Sequence, residues 1–265
     1  MARILVPYHI DERLDDLDVP VAPDVMVAGA DSEVADGDPW AVMGSLYEQV
    51  AELVAVDTGG GERPVVISGD CTTSLGTVAG LQRAGLEPSV VWFDAHGDVQ
   101  TLETTASGYI GGYPLRMLVG YRPELLAGRL GLRAVPEPRV TLVDGRDLDP
   151  PEVEYLATAA IRRRAVRDLA DALPDGPIYL HLDLDVVDCA EVPGLRYPAP
   201  GGPARDAVAA ALRAVLATGR VAAFGLACTW YPGRGAADAV RSHLEPVLAA
   251  LARESAGKPA ARVRR

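Results

Sequence analysis

The sequence predicts an α/β fold, a three-layer α/β/α sandwich around a mostly parallel central sheet, from three observations. Short apolar runs of β-type residues alternate with longer helical patterns along the chain. The runs are apolar throughout instead of alternating with polar residues, as in strands covered on both faces by helices. The polar residues that look chemical sit just after the strands, where open parallel sheets gather function.

The predicted strands are ARILVPY at 2–8, RPVVISG at 63–69, SVVWFD at 89–94, RVTLVDG at 139–145, PIYLHLD at 177–183 and RVAAFGLA at 220–227. The predicted helices are 39–55, 72–85, 154–173, 204–218 and 236–254. This alternation implies βαβ units. No repeat, linker or low-complexity block divides the 265 residues. A single domain over 1–265 is expected, with about 255–265 a flexible tail.

Composition narrows the function classes. The formal charge is −12 and the pI near 4.8, which argues against a nucleic-acid or anionic-membrane surface. The basic ARVRR end, with Arg253 and Lys258 before it, reads as a solvated tail. The N-terminal MARILVPYHIDERLDD lacks the apolar core of a signal peptide, and no apolar run approaches the roughly 18 residues of a membrane span. Cys71, Cys189 and Cys228 are odd in number and irregular in spacing. A cytoplasmic protein is therefore expected, which disfavours a disulfide at Cys71. Cys71 is left as a buried small residue, a nucleophile or a metal ligand.

Three strand ends carry the chemistry. The first gives Asp70 and Cys71, the second Asp94, His96 and Asp98 in VWFDAHGD, the third Asp183, Asp185 and Asp188 in HLDLDVVD. Residues at i, i+2 and i+4 of a strand share a face, so each triplet can converge on one point. Five carboxylates crowded there repel and desolvate one another, and no lysine or arginine lies within these motifs. Two divalent ions bridged by shared carboxylates resolve this. Oxygen donors with one imidazole suit manganese best, with iron, cobalt or zinc as rivals. His9, His181 and His243 stand outside the pattern, His181 as a core residue or one behind the ligands.

These motifs resemble the ureohydrolase family of arginase and agmatinase, whose marks are GGDHS, DAHxD and DxDxxDP, each after a strand. Here they read SGDCTTS, DAHGD and DLDVVDC, with DGRDLDPPE at 144–152 and DAHGDVQTLETTASGYIGGYPL at 94–115 also family-like. The resemblance covers about residues 60–235. Before that, acidic HIDERLDDLD replaces the family's glycine-rich loop.

The resemblance implies an arginase-like fold and two Mn²⁺ ions as cofactors. Asp94 and Asp183 would bridge the ions, His96 and Asp185 would complete one, and Asp98 the other. Cys71 stands where the family has its remaining histidine ligand, so it would bind as a thiolate. Asp70 and Asp188 would orient ligands and loops. Gln100, Thr105 and Ser107 would hold a substrate α-carboxylate, and Asp149 and Glu152 its α-amino group, which implies an L-α-amino acid.

Two departures matter. Gly111 replaces a family histidine, and Thr229 replaces the glutamate that faces a charged guanidinium. A neutral head group would not need that acid. The combination resembles the Nω-hydroxy-L-arginine amidinohydrolase branch, which serves D-cycloserine antibiotic biosynthesis. The expected function is hydrolysis of Nω-hydroxy-L-arginine to hydroxyurea and L-ornithine by a hydroxide bridging the metals, with Asp98 the catalytic proton carrier. An ordinary arginase, another guanidino-compound hydrolase and a metal-binding pseudoenzyme are the alternatives. The expected partner is a small amino-acid substrate, with no nucleic acid and no membrane, and the expected state is a monomer, or else a trimer.

Overall fold

The computed structural model describes residues 1–29, 37–169 and 173–256, with side chains to 252. Ten strands lie at β1 Arg3–Val6, β2 Tyr8–His9, β3 Glu12–Arg13, β4 Val25–Met26, β5 Val65–Ser68, β6 Ser89–Asp94, β7 Val140–Asp144, β8 Arg162–Arg164, β9 Ile178–Asp183 and β10 Val221–Ala227. Seven α-helices lie at α1 Pro39–Gly59, α2 Ser74–Arg83, α3 Pro114–Leu118, α4 Ala127–Leu130, α5 Pro150–Thr158, α6 Arg205–Leu216 and α7 Ala236–Ala256. No helix among the described residues is long and apolar enough to cross a membrane.

Eight strands form one parallel sheet in the order β4-β1-β5-β10-β9-β6-β7-β8. The six predicted strands are its six interior members. Period-2 geometry splits their side chains between two cores. Ile4, Val66, Val90, Trp92, Leu142 and Tyr179 pack against α1 to α5. Leu5, Ile67, Val91, Phe93, Leu180 and Phe224 pack against α6 and α7. The three-layer prediction holds, and its reason is visible in β5 and β9, every residue of which is buried.

The edge strands were not foreseen. β4 has two exposed residues and β8 is the exposed triplet Arg162–Arg164. The continuous helix expected over 154–173 is corrected. Helix α5 stops at Thr158, Ala159 turns extended at ψ 151, and the arginines pair with β7. Of the buried residues here, Leu156, Ile161 and Val166 are five apart. On one helix that spacing rotates each about 140° from the last, so a single helix could not bury all three. Charge on the edge also disfavours pairing with another chain. Residues 170–172 of that expected helix, and the tail from 257 onward, lie outside the described residues.

The acidic N-terminal segment forms the small β2-β3 hairpin, and Trp230 Nε1 donates to Asp18 O at 3.1 Å, holding its end against the sheet. The chain lays β4 outside β1 and β5 inside it, builds β6, β7 and β8 outward on the other half, and inserts β9 and β10 last, in the middle. The carboxyl ends of β5, β10, β9 and β6 therefore meet in one central crevice.

Candidate metal centre

Asp94 and Asp183 are the last residues of β6 and β9 and share the sheet face of Trp92, Tyr179 and α2. Each reaches back to cap its own loop. Asp94 Oδ1 accepts from His96 N at 2.7 Å, and Asp183 Oδ1 accepts from Asp185 N at 2.9 Å. These turns bring His96 and Asp185 inward, where His96 Nδ1 lies 3.1 Å from Asp185 and 3.4 Å from Asp94. Ala95 N donates to Asp185 Oδ1 at 3.2 Å, which ties the two loops together.

Cys71 follows β5 and is 5% exposed. Its Sγ donates to Asp183 Oδ2 at 2.9 Å and lies 3.9 Å from Asp94 Oδ2. None of the three cysteines is in a disulfide. Asp70 behaves as expected. It accepts from Ile10 N at 2.6 Å and from Thr72 N at 2.7 Å, pinning the loop that carries Cys71 to the hairpin. Asp188 holds its own loop through Ala190 N at 2.9 Å. Asp98 sits in a left-handed conformation, φ +55, and its buried Oδ2 has no hydrogen-bond partner.

The electrostatics call for cations. Burial, then neighbouring carboxylates such as Asp94, push Asp98 well above the usual carboxylate range. Burial, then Asp185 and Asp94, do the same to Asp183. Asp185 is pushed up to about 6, by burial and then by Asp94, against the opposing pull of His96. Burial also pushes the Cys71 thiol up, and the carboxylates of Asp183, Asp98 and Asp94 add to it. His96 goes the other way. Burial pulls it down, but Asp185 and Asp94 outweigh burial and raise it to about 12. Burial opposes ionisation of Asp94 too, yet His96 carries it below its usual value. A lone imidazolium cannot neutralise four buried carboxylates, so the donor set fits divalent ions.

Two groups of donor atoms stand close enough together to hold a cation. Donor atoms of Asp94, His96 and Asp185 lie within 4.8 Å of one another, as do those of Cys71, Asp94 and His181. Asp94 belongs to both groups, as a bridging carboxylate would. His181, expected in the core or behind the ligands, is buried, and one of its ring nitrogens belongs to the second group. Its period-2 placement with Asp183 was the available signal.

The cleft above these groups has a volume of about 650 Å³ including its open mouth, and all twelve residues singled out from the sequence line it. Gln100 Nε2 donates to Asp149 Oδ2 at 2.8 Å, and Gln100 Oε1 accepts from Thr104. Glu152 accepts from Val99 N and Asp149 N, both at 3.1 Å. Thr105 accepts from Gly108 N at 3.1 Å and Ser107 from Tyr109 N at 3.2 Å. Thr229 Oγ1 donates to Asp183 Oδ2 at 2.7 Å, so it touches the donor set itself.

Four cleft residues were not singled out as binding groups: Tyr109, Gly111, Gly112 and Tyr197. The Tyr109 and Tyr197 rings are 4.8 Å apart in the cleft wall. The Tyr109 hydroxyl pairs with His9 Nε2 at 3.1 Å. A Cβ at Gly111 would fall 2.3 Å from the Tyr109 ring and hydroxyl, so that ring fills the space a side chain at 111 would need. Arg146 also went unnoticed inside DGRDLDPPE. It donates to the carbonyls of Val186, Asp185 and Ala199 at 2.9, 3.1 and 2.8 Å, bracing the loop of Asp185 from behind.

The fold and donor set define an α/β/α protein with two overlapping groups of possible cation donors at the carboxyl end of its sheet. Comparison then gives the family: the Arginase family model matches residues 3–229, and the chain belongs to that family. The match begins well before residue 60, so β1 and the hairpin belong to it although their motifs do not stand out. The arginase of Bacillus subtilis is 33% identical over 154 residues, which cover 52% of each chain. The N(omega)-hydroxy-L-arginine amidinohydrolase of Streptomyces lavendulae is 32% identical over 176 residues, 62% of each. The alignments with these curated relatives thus span about half to two thirds of their lengths. The solved arginase of Bacillus caldovelox superposes with a TM-score of 0.77 at 22% identity, over 98% of this chain and 100% of that one.

Proposed function

We propose that the protein is a binuclear manganese amidinohydrolase that cleaves Nω-hydroxy-L-arginine with water into hydroxyurea and L-ornithine. The observation that carries the choice of head group is Thr229. Its hydroxyl is already given to Asp183, and no carboxylate stands free at that position to face a cationic guanidinium. An N-hydroxyguanidine is much less basic and needs no counter-charge there. The 32% identity to an enzyme named for that substrate supports the same reading.

Two divalent ions held by Cys71, Asp94, His96, Asp98, Asp183 and Asp185 would supply Lewis acidity and an activated water. The chain's own residues do the rest. The hydroxyl oxygens of Thr105 and Ser107 accept from backbone N–H groups and pair with each other at 3.5 Å, which leaves one of the two protons to donate to an α-carboxylate. Asp149 and Glu152, fixed by Gln100 and by backbone donors, face the α-ammonium. Asp98, whose buried Oδ2 has no hydrogen-bond partner, would take up the proton released by the attacking water and pass it to the departing ornithine nitrogen.

The test offers L-arginine and Nω-hydroxy-L-arginine separately to the Mn²⁺-loaded protein and quantifies ornithine and hydroxyurea. Hydroxyurea from the hydroxylated substrate, with little ornithine from arginine, is the expected result. Comparable cleavage of arginine would make this an ordinary arginase and overturn the reading of Thr229. No turnover of either, with two ions bound, would refute the assigned substrate.

A further inference from the structure

His181 lies two residues before Asp183 on β9, on the same face of the sheet, and is 1% exposed. Both flanking strands are shaped around its ring. On β6 its register partner Trp92 stacks against it with centroids 3.7 Å apart. On β10 its register partner is Gly225, where a Cβ would lie 3.1 Å from His181 Nδ1 and 2.1 Å from the Tyr179 hydroxyl. Only glycine leaves room there.

The two ring nitrogens are not equivalent. Nδ1 lies 3.1 Å from Ser74 Oγ and 3.3 Å from the Tyr179 hydroxyl, which fix the plane of the ring. Nε2 is buried and has no hydrogen-bond partner. A buried nitrogen left unmatched is unfavourable unless a ligand satisfies it. With Nδ1–H donating to Ser74, Nε2 carries a free lone pair.

A ring nitrogen of His181 lies within 4.8 Å of both Cys71 Sγ and an Asp94 carboxylate oxygen. Donors sitting about 2.0–2.3 Å from one ion are separated by up to about 4.4 Å. Shifts of a few tenths of an ångström would therefore let these three groups share an ion. We infer that Nε2 of His181 is a ligand to the ion held by Cys71, Asp94 and Asp183. The inference rests on the binuclear reading above. That ion then has a thiolate, an imidazole and carboxylate oxygens, that of Asp98 among them, a softer set than the position at His96 and Asp185. The first position should prefer cobalt or zinc to manganese more strongly than the second does.

Pulsed electron paramagnetic resonance of the full-length protein loaded with Mn²⁺ tests this, because a coordinated imidazole nitrogen modulates the echo. Two imidazole couplings are expected in the parent protein, from His96 and His181. The His96→Asn variant should retain the second, and the His181→Gln variant should lose it. The chain's other histidines are committed elsewhere, His9 to Gly69 O and Tyr109 and His243 to Asp206. Calorimetry on His181→Gln should show one of the two ions weakened by more than the roughly 100-fold that losing an outer hydrogen-bonding partner costs. Bound Mn²⁺ with a single imidazole coupling in the parent overturns the inference but leaves the binuclear reading standing. Failure of the parent to bind Mn²⁺ overturns both. If His181→Gln does not fold by circular dichroism, the parent and His96→Asn spectra decide.

Discussion

Thr229→Val isolates one hydrogen bond at nearly constant shape. The Thr229 hydroxyl donates at 2.7 Å to Asp183 Oδ2, the same oxygen that faces Cys71. Both residues are buried, at 4% and 3% exposure, so little room exists for water to replace the hydroxyl. Hydrogen bonds to charged groups contribute about 1.5–3 kcal/mol, which corresponds to about 10–150-fold in an equilibrium constant. The bond favours the ionised carboxylate and fixes its rotation, with Oδ1 on Asp185 N and Oδ2 toward Cys71. Removing it should weaken Mn²⁺ binding at one position by about 10–100-fold. Competition calorimetry with a chelator at fixed pH reads this directly. Thr229→Ser, which keeps the hydroxyl, should stay within about threefold of the parent. If Thr229→Val also stays within about threefold, the assignment of Asp183 as a ligand positioned by Thr229 is wrong.

Mn²⁺ affinity should rise with pH. Without metal, His96 is held protonated up to about 12 by Asp185 and Asp94, so a cation must displace its proton, and affinity gains about tenfold per pH unit from that group alone. Below about 6, where Asp185 also takes a proton, the dependence should steepen. Calorimetry across pH 5 to 8 checks this, and a flat profile would refute the ligand assignment of His96. Gly111→His should lower stability by about 1–3 kcal/mol in a urea titration, because its Cβ meets the Tyr109 ring. Adding Tyr109→Ala should recover most of that loss, and no recovery would show that the clash lies elsewhere.

The interior of the sheet is legible in the sequence because burial on both faces forces unbroken apolar runs such as VVIS and IYLHLD. The candidate ligands are legible as the clustered motifs DAHGD and DLD, although the period of a strand does not place them. Only Asp94 and Asp183 end strands, and turns capped by their carboxylates bring His96 and Asp185 inward. The edge strands escape, since Val25–Met26 and Arg162–Arg164 pair on one side only and need no apolar signature. What the tertiary structure alone decided is which distant groups meet. Register across three strands sets the His181 ring between Trp92 and Gly225 and beside Cys71. A hydroxyl 46 residues from Asp183 reaches its carboxylate, and Tyr109 takes the space left by Gly111. Such contacts depend on strand order and side-chain packing, which one-dimensional spacing does not encode.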